Sequence, residues 1–262
     1  MGPAPFLVMG IVNATPDSFS GDGLNSDPDA AVAHAGRLFA EGAAIVDVGG
    51  ESTRPFADPV PQEEELRRVL SVITRIAAEF PGAALSVDTY KAVVADRCLS
   101  AGAHIVNDVS ACSLDPELQD VLVAHKPGYV LMHSLGGPKT MQMNPRYDDV
   151  LGEITRFFHE RMTALVQVGL PEDRIVLDPG IGFGKTPEHN LAILRGLERF
   201  QAFGRPICIG LSRKSFLGAA PHERDLATQE ATVMAYQHGA RIHRVHAVRD
   251  AVCMLMLSQA LV

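Results

Sequence analysis

The stretch RIVLDPGIGFGKT, residues 174–186, contains an apolar run, an aspartate and three glycines. Residues 174–179 have the length and composition of a buried strand that ends near Asp178. The glycines lead to a Lys-Thr pair, as in a phosphate loop. However, the Walker pattern needs glycine where Pro179 stands, and the dinucleotide pattern needs one at Lys185. We therefore interpret the stretch as a strand that presents Asp178 at its carboxyl end, with glycines for a tight turn and with Lys185 exposed.

Apolar runs of this kind recur along the chain, and helix-like segments separate them. The eight predicted strands are 6–13, 43–49, 84–89, 104–109, 128–133, 174–179, 206–211 and 241–246. Four helix-like segments close on glycine, namely Gly42, Gly102, Gly169 and Gly239. Eight strand-and-helix units in 262 residues predict an α/β protein, a single (β/α)8 TIM barrel domain over residues 1–262. A doubly wound open sheet is the alternative, but the segment after the first strand lacks its fingerprint loop.

Each predicted strand ends in polar residues. They are Asn13, Asp47, Asp88, Asn107 with Asp108, His133, Asp178, the run 212–214, and Arg244 with His246. In a barrel these ends form one face, so the residues are expected to converge on one bowl, whereas an open sheet would spread them along a line. Polar residues also occur simply because a strand ends there. We assign this structural role to Asp47 and Asp108, and for His133 we favour a structural role over a catalytic one. Arg244 and His246 are two residues apart and are expected to point the same way.

Composition and charge restrict the classes of function. The net charge of -8 argues against a broad nucleic-acid surface. No apolar run approaches the roughly 18 residues of a membrane helix, and no basic segment precedes the first apolar run, so we expect neither a membrane partner nor export. The four cysteines are scattered without zinc or disulfide spacing, which favours a reducing cytoplasm. An anionic substrate would need a local cationic cluster, and the segments after strands seven and eight supply Arg213, Lys214, Arg244 and His246.

Eight segments resemble, in order, the signature segments of the dihydropteroate synthase family. They are GIVNATPDSFS, VGGESTRP, SVDT, IVNDVSA, MHSLGGPKTMQ, LDPGIGFGKT, GLSRKSFLG and RVHAV. The resemblance implies a (β/α)8 barrel that joins p-aminobenzoate to 6-hydroxymethyl-7,8-dihydropterin diphosphate. The products would be 7,8-dihydropteroate, for folate biosynthesis, and diphosphate. The resemblance also implies a Mg²⁺ ion, a homodimer and competition by sulfonamides.

The resemblance assigns roles by position. Asn13 matches the Mg²⁺ ligand, because a neutral oxygen suits an ion that keeps most of its waters. The pterin pocket matches Asp88, Asn107, Asp178 and Lys214. The diphosphate anchor matches Arg244 and His246, with Thr53 nearby. The p-aminobenzoate site and its covering loops match Arg54, Ser212, Phe19 and Phe183. The residues implied in catalysis are Asp88, Lys214, Arg244 and His246.

Three positions depart from the family pattern. The first loop reads SGDG at 20–23, where the family has S-D-G-G, so the acidic residue moves to Asp22. Phe56 stands where glycine is common, and Ala247 stands where aspartate is common. Two alternatives stay open: a pterin-binding paralogue without turnover, which the shifted aspartate favours, and a methyltetrahydrofolate:corrinoid methyltransferase domain. The cationic segments argue against the second, since a methyl donor leaves no diphosphate to bind.

Overall fold

The chain forms a barrel of eight parallel strands in a computed structural model, which describes residues 5–15, 27–54, 56–137, 139–218 and 220–261. The strands are β1 Leu7–Asn13, β2 Ile45–Gly49, β3 Ala84–Asp88, β4 Ile105–Asp108, β5 Gly128–Met132, β6 Ile175–Asp178, β7 Cys208–Ile209 and β8 Ile242–Val245. The strand order is β6-β5-β4-β3-β2-β1-β8-β7. A bridge between Leu177 and Ile207 joins the two ends of this sheet. The predicted barrel is thus confirmed.

A ring of helices surrounds the strands. In the described residues they are α1 Pro28–Ala40, α2 Gln62–Glu79, α3 Ala92–Ser100, α4 Leu118–His125, α5 Val150–Val168, α6 Pro187–Arg195, α7 Pro221–Gln237 and α8 Val248–Ala260. Short 3-10 helices occupy Glu172–Arg174, Leu197–Phe203 and Ser215–Leu217. No helix in the described ranges is both long and apolar enough to cross a bilayer.

Local sequence signals set the helix ends. Asp27 accepts a hydrogen bond from the Asp29 amide before α1, and Asp149 accepts one from the Gly152 amide before α5, so each carboxylate satisfies a donor that the helix leaves free. The four predicted closing glycines all have positive φ, from 102° to 112°. They therefore take the left-handed conformation that ends a helix.

β7 is shorter than predicted. The sequence pattern gives a strand over 206–211, but only Cys208–Ile209 pair as a strand. On one side Ile207 makes a single bridge to β6. On the other, Lys214 donates its amide to the Leu211 carbonyl, which turns the chain away from the sheet. The early turn brings residues 212–214 over the mouth of the barrel.

Strand alternation decides what the barrel holds. Successive side chains point to opposite faces, so every second residue of each strand points inward. A compact apolar cluster of Met9, Ile45, Val130, Cys208 and Ile242 fills the amino-terminal half of the interior. Further along the same strands, the inward positions become polar at the carboxyl ends. The floor is therefore apolar, and polar chemistry is confined to the mouth.

Candidate active site

A cavity of about 960 Å³ lies at the carboxyl end of the strands. Its lining includes each of the predicted site residues from Asn13 to His246, apart from Phe19, which lies outside the described residues. Arg244 and His246 both reach it, so the prediction that they point the same way is confirmed. Residues separated by more than 200 positions in sequence therefore meet in one bowl.

Arg244 is the central cation of this bowl. Its Nε donates to Asp47 Oδ2 over 2.6 Å, and its Nη2 donates to Asp88 Oδ2 over 2.6 Å. Asn107 Nδ2 also donates to Asp47 Oδ2, over 3.0 Å. Asp47 does not line the cavity, in keeping with its structural assignment, but it does more than mark a strand end. Its side chain is fully buried and holds two site residues, because alternation turns it inward in the layer below the mouth.

Burial and charge control the ionisation of this pair. Burial raises the pKa of Asp88 to about 7, although Arg244 opposes the change, and the nearby Asp47 adds to it. Burial alone would lower the pKa of Arg244, but the two carboxylates outweigh it and raise that pKa. Oδ1 of Asp47 and Oδ1 of Asp88 are buried and accept no hydrogen bond within the described parts of the chain. Asp88 nevertheless lines the cavity, so its carboxylate lies beside any ligand that binds there.

Asp178 and Lys214 are two further charged groups of the bowl, and each affects the ionisation of the other. Asp178 Oδ1 accepts the Gly180 amide over 2.7 Å, yet burial raises the pKa of this carboxyl above its ordinary value. Burial lowers the pKa of Lys214 to about 8, and Asp178 counteracts part of this effect. Gly180 has φ of 68°, and a Cβ there would lie 1.9 Å from the His133 carbonyl oxygen. Only glycine therefore allows the turn that sets the Asp178 loop against β5.

Lys185 is buried, and the prediction that it is exposed was wrong. Only 2% of it is exposed. Its Nζ lies 3.0 Å from His133 Nδ1 and donates to the carbonyl oxygens of Phe183, over 3.0 Å, and His133, over 3.3 Å. Burial lowers its pKa to about 7. The left-handed turn at Gly184 folds the lysine back under its own loop, and Lys185 thereby holds the backbone of Phe183. The Phe183 ring in turn packs over Lys214, with 4.4 Å between Nζ and the ring centroid.

His246 and Ser212 are hydrogen-bonded to each other at the mouth of the barrel. Ser212 Oγ lies 2.8 Å from His246 Nδ1 and also accepts the His246 amide, over 3.3 Å. Burial lowers the pKa of His246 to about 3, so the ring is neutral near pH 7. Arg213 Nε donates to Asp225 Oδ1 over 2.9 Å. The structure therefore differs from the predicted cationic cluster in one respect: His246 contributes a neutral ring and not a positive charge.

The other strand-end residues make structural contacts. Asp108 points away from the cavity and accepts hydrogen bonds from the amides of Ser110 and Cys112 and from the Tyr129 hydroxyl. His133 packs edge-on against Phe157, with 4.8 Å between the ring centroids, and contacts Lys185. These contacts agree with the structural class assigned to both residues.

Comparison with known proteins gives a consistent result. A family model described as pterin binding enzyme matches residues 9–246. Dihydropteroate synthase of Escherichia coli (strain K12) is 44% identical over 249 residues, which cover 94% of this chain and 88% of that protein. The chain belongs to the dihydropteroate synthase family. Solved structures of dihydropteroate synthases share its fold.

The Yersinia pestis dihydropteroate synthase in a sulfonamide complex superposes with a TM-score of 0.94 at 40% identity, over 97% of this chain and 94% of that one. The Xanthomonas albilineans dihydropteroate synthase was solved with 4-aminobenzoic acid, with a TM-score of 0.89 at 42% identity over 97% and 92% of the two chains. It was also solved with 7,8-dihydropteroate, with a TM-score of 0.86 at 41% identity over 97% and 93%.

At two departures from the dihydropteroate synthase pattern, the backbone shows what the common residue would supply. Phe56 has φ of 66°, in the left-handed region, so the glycine common there would be free of strain. Ala247 is the N-cap of α8 and makes no side-chain capping bond, whereas aspartate there could accept one. The third departure, SGDG at 20–23, lies outside the described residues.

Sequence reasoning missed the roles of Asp47 and Lys185. Alternation along β2 could have identified Asp47, because Ile45, Asp47 and Gly49 share one face of the strand. Nothing in the local sequence of Lys185 predicts its burial. Its partners His133 and Phe183 come together only through the turn in the closed barrel.

Proposed function

We propose that this cavity carries out the dihydropteroate synthase reaction, with the residue roles that the sequence resemblance implies. One observation carries the proposal: the four residues implied for the pterin pocket come from four different strands or loops and line one cavity. They are Asp88, Asn107, Asp178 and Lys214. The family membership and the relative solved with 7,8-dihydropteroate support the same substrate class.

The pterin pocket matches the hydrogen-bonding edge of a pterin. A pterin presents a guanidine-like edge of donors, for which a carboxylate is the natural bidentate acceptor. Asp178 supplies one carboxylate, and Asp88 supplies a second. Asn107 can both donate and accept, and Lys214 can donate to the ring carbonyl. The buried carboxylates therefore hold the ring by charge-assisted hydrogen bonds.

The diphosphate lies, in this proposal, between Arg244, His246 and Thr53. The Ser212 hydroxyl is free to donate to His246 Nδ1, because its oxygen accepts the His246 amide. That arrangement leaves the proton on Nε2, which can donate to a phosphate oxygen at neutral pH. A neutral histidine thus serves as a fixed donor, while Lys214 and Arg244 supply positive charge.

The residues present fit a Mg²⁺ ion that is bound largely through substrate. In the described part of the chain, no three His, Cys, Asp or Glu side chains are grouped as metal ligands. Asn13 ends β1 and lines the cavity, and its side-chain oxygen is one hard, neutral ligand. Mg²⁺ commonly takes one or two protein oxygens and completes its shell with water and phosphate. When bound, it would neutralise part of the diphosphate charge.

The chemistry is a dissociative substitution at the exocyclic methylene of the pterin. The C–O bond breaks, diphosphate leaves with the electron pair, and the ring nitrogens stabilise the cation that remains. Lys214, Arg244 and His246 stabilise the departing charge, and Asp88 favours the developing cation. The amine of p-aminobenzoate then forms the C–N bond and loses a proton. Arg54, Ser212 and Phe183 position this amine and exclude water.

We also propose a homodimer and a cytoplasmic site of action. Exposed apolar side chains are prominent on α7, on α8 and at the C-cap of α8, including Leu226, Met256, Leu257 and Leu261. A second copy could cover such a face, and light scattering would then report twice the chain mass. All four cysteines are free thiols, which favours a reducing compartment.

Diphosphate release by the purified chain, with and without p-aminobenzoate, tests the proposed reaction. We expect release that depends on p-aminobenzoate and equals the 7,8-dihydropteroate formed. Pterin binding without release would indicate a paralogue without turnover. Methyl transfer to a corrinoid, without diphosphate chemistry, would indicate the methyltransferase alternative.

A further inference from the structure

The loop after β2 runs from Glu51 to Val60, and its two ends are joined. The Val60 amide donates to Glu51 Oε2 over 3.1 Å. Lys91 Nζ donates to the Val60 carbonyl over 2.8 Å and forms an ion pair with the Glu51 carboxylate. One carboxylate and one ammonium therefore hold the first and last residues of the loop together.

This junction is buried and rich in charge. The Glu51 side chain is 5% exposed, and the Lys91 side chain is 11% exposed. Lys91 also pairs with the buried Glu65 on α2, and the Tyr90 hydroxyl donates to Glu51 Oε1 over 3.0 Å. Burying ions costs free energy that a pair only partly recovers, so apolar side chains would stabilise such a site about as well. The cluster of Glu51, Glu65 and Lys91 therefore contributes little net stability. Its fixed geometry, which holds the loop ends, is the better explanation for these buried charges.

The junction lies between two walls of the active site. Glu51 itself lines the cavity and precedes Thr53 by two residues. Lys91 is the N-cap of α3 and follows β3, the strand that carries Asp88, by three residues. We infer that Glu51 and Lys91 are positioning residues, which fix the ends of the 51–60 loop so that Arg54 faces the p-aminobenzoate side of the cavity. The inference rests on the proposed role of Arg54 at the p-aminobenzoate site.

The variant Glu51→Gln tests this role with little change in shape. It keeps one acceptor oxygen and leaves Lys91 paired with Glu65. The KM for p-aminobenzoate should rise about tenfold, as for the loss of one charge-assisted hydrogen bond. The Kd of the pterin diphosphate should change less than about twofold, and Tm should stay within a few degrees of the wild type. Hydrogen exchange of the Val60 amide should accelerate, because its acceptor is weakened.

Glu63→Gln is the matched control. It makes the same change of charge in the first turn of α2, but Glu63 is exposed and does not contact the loop ends. Its KM values should equal those of the wild type. Tyr90→Phe is a milder second variant that removes one hydrogen bond to Glu51, and it should raise the KM for p-aminobenzoate about two- to threefold.

Two results would overturn the inference. One is an unchanged KM for p-aminobenzoate in both Glu51→Gln and Tyr90→Phe. The other is a parallel loss of pterin affinity, kcat and Tm in both variants, which a merely structural role predicts. Arg54→Ala separates the inference from the proposed function. If Arg54→Ala raises the KM for p-aminobenzoate while neither Glu51→Gln nor Tyr90→Phe does, the positioning role alone fails. An unchanged KM in Arg54→Ala would reject the proposed p-aminobenzoate site.

Discussion

Arg244 donates one hydrogen bond to Asp88 and another to Asp47, each over 2.6 Å, so that one guanidinium serves two buried carboxylates. Asp88 therefore receives only part of the compensating charge, and burial raises its pKa to about 7. As a result, a carboxylate that lines the cavity changes ionisation near neutral pH. The sharing is a feature of the assembled barrel, since the three residues come from β2, β3 and β8.

The acid limb of the pH profile should follow Asp88. The proposed mechanism needs its ionised form, so kcat/KM for the pterin substrate should fall about tenfold per unit as the pH drops below about 7. Asp88→Asn should lower the pH-independent value of kcat/KM by about 100-fold, while leaving the ion pair of Arg244 with Asp47. It should also remove the contribution of Asp88 to the acid limb. Ionisation of the substrate is common to both proteins, so the difference between their profiles isolates Asp88. Identical acid limbs would contradict the assignment.

Lys185 and Lys214 should differ in what their loss affects. Lys214→Ala should lower kcat/KM by at least about 100-fold with little change in Tm, because its proposed role is to stabilise the departing diphosphate. Lys185→Met should lower Tm, since buried acceptors of His133 and Phe183 lose their donor, and should reduce kcat/KM only about tenfold through the Phe183 loop. Paired kinetics and thermal melts measure both effects. A larger kinetic loss in Lys185→Met than in Lys214→Ala would reverse the roles of the two lysines.

The sequence predicts the barrel and its mouth because both follow from short-range patterns. Strand length, alternation and polar strand ends are local, and they locate Asp88, Asp178 and Arg244 correctly. The environment of Lys185 depends instead on a carbonyl and an imidazole more than 50 positions away. The sharing of Arg244 between two carboxylates likewise depends on barrel closure. Contacts between distant segments set burial and pKa, so local patterns do not reveal them.

His243 should reduce stability in acid. It points from β8 into the helix layer, is fully buried, and neither ring nitrogen has a hydrogen-bond partner among the described residues. Burial lowers its pKa to about 3, below the roughly 6.5 of the unfolded chain. The stabilisation from the neutral ring is complete above about pH 6.5 and is lost as the pH falls toward 3, because the unfolded state then binds the extra proton.

The variant His243→Leu should therefore gain stability relative to the wild type as the pH falls. The gain should increase by about 2 kcal/mol between pH 7 and pH 5, from roughly 1.4 kcal/mol per pH unit below 6.5. Urea unfolding at both values measures it. His159 is exposed, so His159→Gln is the control and should show no such trend. A difference between His243→Leu and wild type that does not change with pH would refute the explanation.

Ala247→Asp should stabilise the fold. Ala247 is an N-cap without a side-chain acceptor, and a carboxylate there can accept an amide of the first turn of α8 and interact with the helix dipole. The expected gain is about 1 kcal/mol, which corresponds to a rise in Tm of roughly 2–4 °C. Ala247→Asn caps without charge and should give a similar gain. A decrease of Tm in both variants would show that capping does not limit this helix.

A crystal structure of the chain with 7,8-dihydropteroate bound tests the central claim most directly. The proposed site predicts that the pterin lies inside the cavity, with its donor edge on the Asp178 carboxylate and its ring carbonyl beside Lys214. It also predicts that the aminobenzoate end extends toward Arg54 and Ser212. A pterin bound outside the cavity, or one whose donor edge contacts neither Asp178 nor Asp88, would contradict the account.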